Sequence, residues 1–125
     1  TIHGRLTYAE YNEVLNKCDI GLALKKNNGP LANTTFPSKV IEYASVGLLN
    51  ITTEISDVKK VLEGGAVYLK EDTALELIKI FKKIIKNPSQ YQKISELGNK
   101  LVIKKCSTDQ AGRNLKKFLF DEDQK

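Results

Sequence analysis

Tryptophan and methionine are absent from the 125 residues, cysteine occurs twice and histidine once. His3, Cys18 and Cys106 stand too far apart in the chain to read as a zinc ligand set. Both cysteines close helical patterns, where small buried or half-buried apolar residues are expected, and nothing in their usage implies an oxidising compartment. Aromatic residues make up only 7% of the chain, and no basic run is interleaved with them. That argues against nucleic-acid binding in spite of a formal net charge of +5. No apolar run approaches ~18 residues, and the first residues lack the shape of a signal peptide. The chain does not begin with methionine, and its first residues read as a strand already under way. It is therefore expected to be a piece of a longer, cytoplasmic protein.

What remains is an ordinary globular composition, 41% apolar and 28% charged, over one domain's length of chain. The periodicities alternate. Thr1-Ile2-His3 reads as the end of a strand and Gly4-Arg5-Leu6 as the loop leaving it. Thr7 and Glu10 form a capping box that opens a helix to about Lys17, with Tyr8, Tyr11, Val14, Leu15 and Cys18 as its apolar stripe. Asp19 to Leu24 has no polar alternation, the pattern of a strand covered on both faces. A loop of some 13 residues, Lys25 to Pro37, leads into a helix from Pro37 to Val46. Leu48 to Thr53 is the next strand, Ser56 caps a short helix to Leu62, and Ala66 to Leu69 is a further strand.

Three helices follow. Thr73-x-x-Glu76 opens one with Ala74, Leu77, Ile78, Phe81, Ile84 and Ile85 inside. Asn87-Pro88 starts a second, to roughly Lys105, and a third runs from about Thr108 to Phe120. The acidic residues after it are expected to be frayed. Strands alternating with helices predict an α/β fold, a three-layer Rossmann-like parallel sheet flanked by helices, with extra helices at the end. Such sheets bind ligands beyond the carboxyl ends of their strands. Gly4-Arg5-Leu6, the long loop, the start of the Pro37 helix and Thr52-Thr53-Glu54 all belong to that edge.

The Pro37 helix carries the most chemistry. Its punctuation is complete, with proline and serine at the start and Gly47 at the end. At about 100° per residue, Val40, Tyr43, Ala44 and Gly47 share one face, and Ser38, Lys39, Glu42 and Ser45 the other. Lys39 lies where the helix dipole disfavours a cation. It either pairs with Glu42 at i+3 or faces an anion held by the helix start. In the second case the Ser38 hydroxyl and Lys39 meet a phosphate, and Glu42, one turn on, accepts two hydrogen bonds from a ribose diol. Lys25 and Lys26 are further candidates for a diphosphate.

The run Phe36-Pro37-Ser38-Lys39-Val40-Ile41-Glu42-Tyr43-Ala44-Ser45-Val46-Gly47-Leu48, after Gly4-Arg5-Leu6 and Cys18-Asp19-Ile20-Gly21-Leu22-Ala23-Leu24, resembles a known pattern. It is similar to the C-terminal half of family 4-type glycosyltransferases with two Rossmann domains, in particular the bacterial enzymes of capsule, O-antigen and exopolysaccharide synthesis. The resemblance implies a donor-binding domain over residues 1–125 that is itself partial. The N-terminal acceptor domain and the first strand-helix unit would lie outside it. It implies a nucleotide-diphosphate sugar as donor, Glu42 on the ribose, Pro37, Ser38 and Lys39 by the diphosphate, and Gly4, Arg5 and Leu6 near the base. It also implies retention of anomeric configuration, no metal cofactor and a glycan or lipid-linked acceptor, with peripheral contact at the inner membrane face. Where many relatives carry a second glutamate this chain has Thr34, leaving the sugar to Thr34 or to Asn33 and Thr35. The isolated piece is expected not to transfer sugar alone. A nucleotide-sugar 2-epimerase of the same fold, a flavodoxin-like module without catalysis and an inactive relative kept for protein contacts are the competing readings. A phospho-receiver needs an acid at a strand's carboxyl end, and Asp19 sits at an amino end.

Overall fold

The computed structural model describes residues 2–26 and 34–120. The elements run α1 (Tyr8–Asn16), β1 (Ile20–Ala23), α2 (Lys39–Ser45), β2 (Leu49–Thr53), α3 (Val58–Leu62), β3 (Val67–Leu69), α4 (Ala74–Lys86), α5 (Pro88–Cys106) and α6 (Thr108–Phe120). The three strands form one parallel sheet in the order β1-β2-β3. Ile20 pairs with Leu49 and Ala23 with Thr52, while Ile51 pairs with Val67 and Thr53 with Leu69. This is the expected α/β sheet flanked by helices.

Two apolar layers cover the sheet. On one face Val40 and Ala44 of α2, Val58 and Leu62 of α3 and Val102 of α5 pack with Ala23, Ile55 and Ala66. On the other, Ile51 and Leu69 meet Ile80 of α4, flanked by Leu77, Phe81 and Ile84. The centre of α4's buried face is therefore Leu77-Ile80-Phe81-Ile84. Ile78 and Ile85, expected inside, are exposed at 48% and 80%. Three-to-four spacing from Leu77 leads to Ile80 and Phe81, so the stripe through Ile78 is rotated away from the sheet.

Several expectations need correction. Ile2 and His3 form no strand, and Ile2 is fully exposed; with one apolar side chain and no covered face, the segment has nothing to gain from pairing. Thr1 lies outside the described residues, as do Asn33 and most of the long loop, and the acidic tail. β1 is an edge strand, and only Gly21 and Ala23 are buried. Leu22 and Leu24 remain 42% exposed because α4 lies over β2 and β3. Cys18 and Cys106 are exposed rather than buried, because each falls at a helix end turned to solvent. Asp57, not Ser56, is the N-cap of α3, and Ser56 instead takes a left-handed φ of 50°. Along α1 only Leu15 is buried, and Tyr8 is 82% exposed. No described helix is long and apolar enough to cross a membrane.

α2 is short but closely held. Gly47, at φ 85°, closes it with the paired bonds of a Schellman end, Leu48 N–H to Tyr43 C=O at 2.9 Å and Gly47 N–H to Ala44 C=O at 3.0 Å. Asn99 of α5 donates to the Ala44 and Ser45 carbonyls at 2.8 and 3.0 Å. Asn50 of β2, fully buried, donates to the Val40 carbonyl at 3.2 Å. Tyr43 packs closely against Gly21, where an added Cβ would fall 2.4 Å from the ring. Sheet, partner helix and turn together fix where the outer face of α2 points.

Candidate functional site

In a parallel sheet every helix that follows a strand starts at the carboxyl edge. α1 leads into the amino end of β1, so its own first turn lies at that edge with the first turn of α2. The Thr7–Glu10 capping box fixes the start of α1: Thr7 N–H donates to the Glu10 carboxylate at 2.8 Å and Glu10 N–H to the Thr7 hydroxyl at 3.4 Å. The Thr7 N–H bond to the carboxylate, then the Thr7 hydroxyl donating to the same oxygen at 2.7 Å, hold the Glu10 carboxyl below its ordinary pKa. One turn on, Tyr11 faces α2.

The centre of the site is Lys39. Its Nζ donates to Glu42 Oε2 at 2.7 Å and to the Tyr11 hydroxyl at 2.8 Å, and stands 4.6 Å from the centroid of the Tyr11 ring. The Glu42 hydrogen bond, then the one to Tyr11, pushes the Lys39 pKa up. Of the two readings for Lys39, the i+3 pair with Glu42 is the one the fold adopts. The pair is not buried, since the lysine side chain is 53% exposed and the glutamate 35%. The helix start is less open than its sequence suggests. Val40 N–H bonds the Pro37 carbonyl at 3.0 Å and Ile41 N–H the Ser38 carbonyl at 3.0 Å, a tight turn that consumes donors an anion would use. Ser38 is the N-cap, with a helical φ of −53° and ψ of −26°, and its hydroxyl makes no capping bond. Side chains, more than the helix end, carry the chemistry here.

A cavity of about 380 Å³ opens beside this cluster, lined by His3, Gly4, Leu6, Tyr11 and Val14. Tyr11 belongs to both: it lines the cavity with Gly4 and Leu6, and its hydroxyl accepts from Lys39, while Lys39 and Glu42 themselves are not among the cavity's lining residues. Arg5 is exposed in a bend outside the cavity lining, without a salt bridge to a described residue. A second group gathers at the ends of β1 and β2. Thr53 Oγ1 donates to the Lys25 carbonyl at 2.7 Å and accepts from its N–H at 3.2 Å. Lys25 Nζ reaches Thr35 Oγ1, and Thr34 is exposed beside it.

Sequence reasoning missed Tyr11 as a site residue because its place in an apolar stripe explained it already. The signal that finds it is topological, since the first turns of α1 and α2 must meet at one edge. Asn99 leaves no such trace. A larger groove of about 460 Å³, lined by Cys18, Asp19, Ile20, Leu49 and Tyr91 among others, lies at the opposite, amino edge. It contains none of the candidate residues. Among the described residues no group of three or more His, Cys, Asp or Glu side chains is placed to hold a metal ion.

In a comparison with known families, the model of a family described as glycosyl transferase-like fits residues 1–117. Comparisons with curated proteins and with solved structures find no match.

Proposed function

The chain belongs to the glycosyl transferase-like family, and from that premise we propose that it is the donor-binding part of a glycosyltransferase using a nucleotide-diphosphate sugar. The observation that carries the reading is the meeting of Lys39, Glu42 and Tyr11 beside the cavity that Gly4 and Leu6 line. Glu42 is the ribose ligand. A carboxylate oriented on a helix accepts both hydroxyls of a diol, and hydrogen bonds to a charged acceptor contribute about 1.5–3 kcal/mol. Lys39 meets the diphosphate as a mobile point charge, with the Ser38 hydroxyl as a second donor beside Pro37. The base enters the cavity against Gly4 and Leu6, and Arg5 folds over from the bend. Thr34 and Thr35 face the sugar with neutral hydroxyls in place of a carboxylate.

In this reading the donor's charge is met by lysine and hydroxyl groups, and no metal cofactor is required. The transfer retains anomeric configuration. A second Rossmann-like domain completes the active site and holds a glycan or lipid-linked acceptor, so the whole enzyme works in surface polysaccharide synthesis at the inner face of the membrane. The present chain supplies donor contacts only, and binding rather than turnover is the property to measure. Isothermal titration of the chain with uridine, guanosine and adenosine diphosphate sugars tests this. One of them is expected to bind, with affinity reduced roughly 10- to 100-fold by Glu42→Gln, as loss of a charged acceptor implies. Equal affinity in the wild type and the variant overturns the assignment of Glu42.

A further inference from the structure

Lys39 and Glu42 are the two groups the donor needs most, and each occupies the other. Glu42 has part of its acceptor capacity taken up while Oε2 holds the Lys39 ammonium at 2.7 Å, and its carboxylate is aimed at the lysine instead of at a diol. Lys39 spends two of its three N–H donors on Glu42 and Tyr11, which leaves one for a diphosphate. We propose that the Lys39–Glu42 pair is a resting-state latch that a nucleoside diphosphate opens, and that Tyr11 is the positioning residue that keeps Lys39 at the site once Glu42 has let go. This rests on the donor-site reading and adds an order of events and a third residue to it.

The magnitudes favour opening. The pair is an i,i+3 contact between side chains 53% and 35% exposed, a class of ion pair that solvent screens and that adds little to stability. Opening it trades one screened pair for two charge-assisted interactions, ribose to Glu42 and phosphate to Lys39. The exchange therefore runs toward the bound state, and the latch lowers affinity only slightly. In the empty state it keeps the carboxylate from repelling an incoming diphosphate, because the charges cancel locally.

Tyr11 answers a different problem. A lysine freed from its partner regains rotamer freedom, and ordering it again carries an entropic cost. The Tyr11 hydroxyl at 2.8 Å and its ring, 4.6 Å from Nζ to centroid, hold the ammonium from the α1 side without a competing charge. That contact persists when Glu42 turns to the ribose. Tyr11 also lines the cavity with Gly4 and Leu6, so a base entering there touches the side chain that sets the lysine.

The latch makes a signed prediction that no purely structural role makes. The chain is titrated with uridine, guanosine and adenosine diphosphates, with the three nucleosides and with inorganic pyrophosphate, following Tyr11 ring and Lys39 Nζ resonances by NMR. Glu42→Gln is expected to weaken the cognate nucleoside roughly tenfold and to strengthen pyrophosphate two- to threefold, because Lys39 is released. Tyr11→Phe, which keeps the ring a base would touch and removes one hydrogen bond, is expected to weaken pyrophosphate and the diphosphate three- to tenfold and the nucleoside by less than twofold. Circular dichroism of both variants matching the wild type excludes unfolding as the cause. If Glu42→Gln leaves pyrophosphate unchanged or weaker while the nucleoside suffers, the latch is wrong and the donor site stands. If Tyr11→Phe affects nucleoside and pyrophosphate alike, or neither, its positioning role is wrong. If no diphosphate binds the wild-type chain, the donor site and the latch fall together.

Discussion

An ammonium in the first turn of a helix opposes the helix dipole by about 0.3–1 kcal/mol, so its neighbours decide whether it is tolerated. Lys39 has a carboxylate and a phenol within hydrogen-bond reach, and its raised pKa follows from both. A second aromatic–lysine contact, away from the candidate site, gives a pH test. Tyr68 donates its hydroxyl to the Glu63 carbonyl at 2.8 Å, and Lys59, paired with Glu54, lies 5.8 Å from its ring centroid. Burial first, then the charges of Glu54 and Glu63, pushes the Tyr68 phenol up to about 12. A raised folded-state pKa favours the protonated form. Its contribution to stability is intact below the ordinary tyrosine range near ~10 and is lost as pH rises toward the folded value. Burial also raises the Tyr43 phenol, so an ultraviolet titration should show more than one late-ionising phenol, the latest of which disappears in Tyr68→Phe; an unchanged titration curve contradicts the assignment.

At the scale of elements, α2 matters most, and its seven residues are too few to stand alone. It is held by Asn99 at its last turn, by Asn50 at its first and by the bare backbone of Gly21 beneath Tyr43. Asn99→Ala leaves two carbonyls without that donor and should lower stability by about 1–2 kcal/mol, with a parallel loss of donor affinity as the outer face of α2 drifts. Thermal unfolding and titration of the same variant read both effects. The crossing of α5 over the turn before β3 gives a sharper pair. A Cβ at Gly98 would stand 2.3 Å from the Gly65 carbonyl oxygen, whereas one at Gly112 in α6 meets nothing within 4 Å. Gly98→Ala should therefore destabilise by about 3 kcal/mol, and Gly112→Ala should stabilise by about 0.5–1 kcal/mol. Equal shifts in denaturant midpoint would contradict the packing of α5 described above.

These elements also explain how far the sequence could be read. Thr7-x-x-Glu10, Thr73-x-x-Glu76 and Asn87-Pro88 are local signals, and the helices they mark begin where expected. Gly47 ended α2 for the same reason. What failed depends on neighbours distant in sequence. The exposure of Leu22 follows from where α4 lies, the buried face of α4 from which residues the sheet meets, and the exposure of Cys18 and Cys106 from which side of a helix end faces solvent. Candidate residues followed the same division. Lys39 and Glu42 were legible as a spaced pair on one helix, while Tyr11 needed a second helix to arrive at the same edge.

As a whole, the molecule has two candidate edges and the chemistry favours the smaller cavity. The amino-edge groove of about 460 Å³ is the larger, and the carboxyl-edge cavity of about 380 Å³ is the one beside Lys39 and Glu42. The topology of a parallel sheet, not cavity size, makes the choice. The most direct measurement is therefore a map of backbone amide shifts across the chain as a nucleoside-diphosphate sugar is added to saturation. The account predicts that the largest changes fall at Gly4, Leu6, Tyr11, Ser38, Lys39 and Glu42, with the amino edge silent. Changes centred on Cys18, Asp19 and Tyr91, with Lys39 and Glu42 unmoved, would contradict it.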